Sequence, residues 1–60
     1  MRSVGYDSAS RTLEVEFHNG GVYQYSAVPE LVYEGLLRAK SKGSYFHDNV
    51  KDCYPVRQVS

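Results

Sequence analysis

Tryptophan is absent, cysteine and methionine occur once each, and neither charge sign dominates, with seven Lys and Arg balancing seven Asp and Glu. Each shortage removes a class of protein. A single cysteine, Cys53, closes no internal disulfide, whereas a domain this small in an oxidising compartment ordinarily carries several, so the expected location is cytoplasmic. No apolar run approaches the roughly 20 residues of a membrane span, and Met1-Arg2-Ser3-Val4-Gly5 lacks the apolar core of a signal peptide, so no membrane partner is expected. Charge neutrality disfavours a strong, sequence-blind grip on nucleic acid. His18, His47 and Cys53 have none of the paired short spacings of a structural zinc site, and the expectation is no metal and no cofactor. Nothing in the sequence sets Cys53 against an imidazole, and so short a chain has little room for a walled pocket. The reading is therefore a non-enzyme without catalytic residues or a small-molecule substrate. Cys53 is expected as a small, semi-buried packing residue.

What the chain does hold is six tyrosines and two alternating runs joined by glycines, from Thr12 to Ala27. Leu13, Val15 and Phe17 alternate with Glu14, Glu16 and His18, the period of a strand with one wet and one buried face. Asn19-Gly20-Gly21 supplies a turn. A two-residue loop would place Tyr23 and Tyr25 in the wet layer with Glu14 and Glu16, whereas a loop of Asn19, Gly20 and Gly21 pairs Phe17 with Tyr23, Val15 with Tyr25 and Leu13 with Ala27. The second register puts every large apolar group on one face and is the one expected, with Gly21 in the left-handed conformation that such loops need at their last position. Upstream, Val4 and Tyr6 alternate, and a four-residue loop of Ser8 to Arg11 pairs Tyr6 with Leu13 and Val4 with Val15 on that same face.

A sheet with one apolar face needs a cover, and the segment from about Pro29 to Lys40 reads as a helix built for it. Val32, Leu36 and Ala39 form the centre of its apolar stripe, flanked by Leu31 and Tyr33, while Glu34 precedes Arg38 by four residues and can pair with it. Gly35 costs on the order of 1 kcal/mol inside a helix, which suggests close approach of the helix backbone to the sheet. Gly43 suits a helix stop, and Ser44 a cap for a second, short helix whose Phe46 and Val50 cover the end of the sheet. Val56 to Val59 reads equally as a fourth strand on a sheet edge or a free tail. The expected class is α+β: residues 1–60 as one domain, a three-stranded antiparallel β-meander covered on one face by a main helix and a short second helix.

The order of residues resembles a known family. Gly5-Tyr6-Asp7, Leu13-x-Val15-x-Phe17-x-x-Gly20, Val22-Tyr23-Gln24-Tyr25, Val28-Pro29, Ala39-x-Ser41-x-Gly43-x-Tyr45-Phe46 and Tyr54 together are similar to the KTSC domain, and the resemblance covers nearly the whole chain. That family is named after the C-terminus of certain lysyl-tRNA synthetases, also occurs free-standing in bacteria, and carries a central Tyr-x-Tyr, here Tyr23-Gln24-Tyr25. The attachment to a synthetase implies RNA as the partner to test first, in a translation-associated role. The resemblance supplies no catalytic or ligand residue.

Two constellations compete for that role. Tyr23 and Tyr25 suit a stacking platform for unpaired bases, but the register argument assigns them to the core. Arg38, Lys40, Lys42, Lys51 and Arg57, interleaved with Tyr45, Phe46, His47 and Tyr54, form the basic C-terminal stretch. Here lysines would position a phosphate backbone and Tyr45 or Tyr54 would stack on a base. The alternative is a protein-interaction module, including a homodimer formed through an open sheet edge or the Leu37 flank of the helix.

Overall fold

The computed structural model describes all 60 residues. The elements follow in the order β1 (Ser3–Asp7), β2 (Thr12–Glu16), β3 (Val22–Tyr25), α1 (Glu30–Arg38), α2 (Lys42–Asn49) and β4 (Val56–Gln58). The sheet is antiparallel throughout, with spatial order β1-β2-β3-β4, so it has four strands where three were expected. The fourth strand settles the reading of the C-terminal segment. Val56, Arg57 and Gln58 pair with Tyr25, Gln24 and Tyr23, and Val59 N donates to Val22 O at 2.8 Å. The open edges are therefore β1 and β4.

The first hairpin has the expected register, Tyr6 opposite Leu13 and Val4 opposite Val15. Its turn is fixed by Asp7, whose carboxylate accepts from Ala9 N and Ser10 Oγ, each at 3.0 Å. The second hairpin keeps the expected faces but not the expected pairs. Leu13 faces Tyr25 and Val15 faces Tyr23, because the loop is His18-Asn19-Gly20 and not Asn19-Gly20-Gly21. Phe17 N donates to Gly21 O at 2.9 Å, Asn19 Oδ1 accepts from Gly21 N at 2.9 Å, and Gly20, at φ 92°, takes the left-handed position assigned to Gly21. Moving a loop along the chain by one residue shifts every pairing partner by two, so the alternation of faces survives. Ala27 does not oppose Leu13: at φ 59° it turns the chain out of the sheet, and Val28 N then bonds Arg11 O at 2.9 Å.

Both helices lie on the apolar face. α1 starts after Pro29 and stops at Arg38, since Ala39 is extended at φ −65° and ψ 138°. Its inner stripe is accordingly Val32, Tyr33 and Leu36, with Leu31 left 78% exposed and Ala39 outside the helix. Tyr33 is drawn inward by Tyr6, whose ring stacks on it at 5.0 Å between centroids. The expected Glu34–Arg38 pair does not form, and α1 is instead closed by Lys42 Nζ, which donates to Leu37 O at 3.2 Å. Gly43 is no helix stop: Ser41 caps α2, its Oγ accepting from Ser44 N at 3.2 Å, and Gly43 falls in the first turn.

Gly35 does allow a close approach, but to α2 and not to the sheet, because a Cβ there would meet the Tyr45 ring. The fully enclosed core is Leu13, Val15, Val28, Leu36 and Val50, with Tyr25 and Phe46 closing its hairpin side. Cys53 is exposed, contrary to expectation, since the turn through Asp52 at φ 63° carries it outward.

Candidate functional site

Because Phe17, Tyr23 and Tyr25 share the apolar face, their rings rise from the hairpin end of the sheet toward the helices. The Ser41 cap starts α2 where its one large apolar residue, Phe46, points back at them. Phe46 meets Phe17 at 5.5 Å and Tyr25 at 5.4 Å, and Phe17 meets Tyr23 at 5.5 Å, all edge to face. Edge-to-face contact holds rings together without filling the space between them. What remains is a groove of about 550 Å³, lined by Met1, Phe17, Tyr23, Tyr25 and Phe46, with Asn19, Gly43, His47 and Lys51 at its rim. Volumes of roughly 300 to 1,000 Å³ are those of small-ligand sites.

Polarity inside the groove comes from the tyrosines. Tyr25 is 6% exposed, and its hydroxyl makes no hydrogen bond within the chain. Burial, reinforced by neighbouring Tyr23 and then Asp52, pushes the Tyr25 hydroxyl above its ordinary pKa of 10.0, so it stays an O–H at neutral pH. At the rim, Lys51 and His47 are exposed, and His47 Nδ1 lies 3.4 Å from Asp48 Oδ1.

The basic stretch read from sequence does not converge on one surface. Lys51 and His47 reach the groove, and Lys42 is engaged with the α1 carboxyl end. Arg38 and Lys40 are exposed at and just past the end of α1. Tyr45 is half-buried against Gly35, and Tyr54 is half-buried against the core. Arg57 belongs to the opposite face of the sheet, where its Nη2 donates to Gln24 Oε1 at 3.1 Å and Gln24 Nε2 donates to Glu14 Oε1 at 2.9 Å. That open face is polar and anionic in character. One hollow on it, about 360 Å³, is lined by Gly5, Tyr6, Asp7, Ser10, Thr12, Glu14 and Gln24. No three His, Cys, Asp or Glu residues come close enough to hold a metal ion, and no helix is long and apolar enough to cross a membrane.

Met1, Phe17, Asn19 and Gly43 are the groove residues that sequence reasoning did not single out for a site. Phe17 had a usable signal, its shared face with Tyr23, whereas the juxtaposition of Phe46 with the hairpin is purely tertiary.

Comparison with known proteins gives a consistent result. The model of the KTSC domain matches residues 1–54. A lysine–tRNA ligase of Trichormus variabilis is 46% identical over all 60 residues of this chain, which spans only 11% of the ligase. A protein of Stutzerimonas stutzeri is 47% identical over 51 residues, covering 85% of this chain and 72% of that protein. The crystal structure of a KTSC domain protein from Yersinia pestis superposes with a TM-score of 0.94 at 38% identity, over 97% of this chain and 82% of the other.

Proposed function

The chain belongs to the KTSC domain family, and from that premise we propose that it is a small, non-catalytic, cytoplasmic accessory domain that holds an unpaired RNA nucleotide in the groove at its hairpin end. The observation that carries this reading is the meeting, in one concavity, of the family's Tyr-x-Tyr with Lys51 and His47. Neither half suffices alone. Aromatic rings without cations suit any apolar ligand, and cations without rings suit any anion, but an unpaired nucleotide offers a flat face, a polar edge and a phosphate together. The match to a lysine–tRNA ligase supports RNA as the polymer, although the activity of that much larger protein does not transfer to a segment covering 11% of it. The anionic sheet face, with Glu14 and Glu16, opposes phosphate and leaves the groove side as the contact surface.

With one or two cations at the rim, binding is weak and only moderately salt-dependent, since each phosphate neutralised on a single strand contributes about −0.7 to the slope of log K against log salt. Anisotropy titration of a labelled ten-nucleotide RNA between low and physiological salt tests this directly. Lys51→Gln should weaken binding and reduce the slope by about 0.7, with an unchanged melting temperature because Lys51 is exposed. An unaltered slope would place the contact elsewhere.

A second reading rests on a separate observation. Leu31, Val56, Leu37 and Val59 are exposed large apolar residues, and β1 and β4 are open edges, which suit a protein partner or a second copy. Sedimentation that stays monomeric from micromolar to millimolar concentration removes the homodimer.

A further inference from the structure

We propose that the Tyr25 hydroxyl is kept for the ligand and not for the fold: it hydrogen-bonds the polar edge of the base that enters the groove. This rests on the reading of the groove as a nucleotide site.

Two tyrosines on the same face of the sheet show the distinction. Tyr6 donates its hydroxyl to Val28 O, and that bond ties β1 to the start of α1. The Tyr25 ring is buried more deeply, yet its hydroxyl has no partner in the chain and stays within reach of solvent. For packing alone, phenylalanine would serve at position 25, because the ring's neighbour there is Phe46 and the register partner across β2 is Leu13. A solvent-reached hydroxyl at the end of a groove-lining ring that the fold would accept without it is free to bond whatever enters the groove.

The groove identifies the kind of partner. Its apolar lining includes the Phe17, Tyr23 and Phe46 rings, so a planar apolar face is favoured, and the Tyr25 hydroxyl is able both to donate and to accept. Every nucleobase presents such a face and such an edge. The hydroxyl stays protonated because burial disfavours the phenolate, so a donor is always available at neutral pH. Stacking then supplies affinity that tolerates any base, and the Tyr25 hydroxyl supplies discrimination between bases.

The test uses the full chain, its Tyr25→Phe variant, and ten-nucleotide homopolymers of U, C and A as probes, with thermal melting of each protein alongside. The expected result is a Tyr25→Phe protein that melts no lower than wild type and binds the preferred homopolymer about tenfold more weakly. Its spread of affinities across the three RNAs should be narrower and its salt slope unaltered, because the change leaves Lys51 in place. A melting temperature lowered by several degrees would make the hydroxyl structural and overturn the inference. So would affinities within twofold of wild type for all three RNAs, although the nucleotide reading would then still stand. Absence of RNA binding by the wild-type chain at low salt overturns both.

Discussion

The two ends of the helix-covered face use aromatic residues in opposite ways. At the β1 end, Tyr6 and Tyr33 stack with planes 13° apart and the Tyr6 hydroxyl is spent on Val28 O, so the rings close on each other and the Tyr6 hydroxyl serves the fold. At the hairpin end, four rings meet edge to face at interplanar angles of 73° to 81°, leave a groove between them, and include Tyr25, whose ring is buried while its hydroxyl stays within reach of solvent and bonds nothing in the chain. The ring chemistry is the same, so the difference lies in whether the rings close on each other or leave space between them. One end is packed shut; the other is open, and the proposed site lies there.

That contrast can be broken at the closed end with the largest effect. Tyr6→Phe removes the bond to Val28 O and strands a carbonyl where β3 passes into α1, which should cost about 1 to 3 kcal/mol. In a domain of this size that is a fall of several degrees in melting temperature, readable by circular dichroism. Tyr25→Phe, the same chemical change at the open end, should produce no fall. Equal losses for the two variants would erase the distinction between the ends.

The link between the ends is tested at Gly35, where α1 and α2 touch. Alanine there improves helix propensity by about 1 kcal/mol but forces its Cβ into the Tyr45 ring, for which overpacking costs of about 1 to 3 kcal/mol are usual. Gly35→Ala should therefore destabilise the wild-type chain modestly and stabilise a Tyr45→Ala background. A double-mutant cycle read by urea unfolding checks that reversal of sign.

The smallest effect is on alkaline stability. The folded pKa of Tyr25 lies above 10.0, so its contribution to stability is complete below that pH and is lost as pH rises through the folded value, the unfolded chain ionising first. Melting temperature should decline above pH 10, and the decline should be shallower in Tyr25→Phe. Identical declines in the two proteins would mean that the hydroxyl is solvated like an exposed one.

Much of this contrast was already legible in the chain, and the rest was hidden for identifiable reasons. Face assignment in the meander follows from parity alone, so Tyr23 and Tyr25 fall on the side of Leu13 and Val15 whichever neighbouring three-residue loop forms. Register needs more, namely that Asn19 Oδ1 takes the Gly21 N–H and leaves Gly20 to carry the positive φ. The basic stretch misled because proximity along the chain was read as proximity in space. Once β4 pairs with β3, alternation sends Arg57 to the face of Gln24 and Glu14, away from Lys51. Pairing of Val56 to Gln58 with the Tyr-x-Tyr strand was a weak signal, since those three side chains are all exposed and leave no apolar alternation to read. The groove itself was not legible, because it exists only where α2 brings Phe46, His47 and Lys51 over the hairpin. An unpartnered hydroxyl is a property of the assembled surroundings and has no counterpart in sequence.

The claim that the hairpin end is the site is tested most directly by following backbone amide resonances of the uniformly labelled chain during titration with a short unstructured RNA at low salt. The account predicts shifts concentrated at residues 17–25 and 43–51, those that build and border the groove, with β1 and the Tyr6–Tyr33 end unmoved. Shifts concentrated instead on the open face around Gly5, Glu14 and Arg57, or no shifts at any RNA concentration, would contradict it.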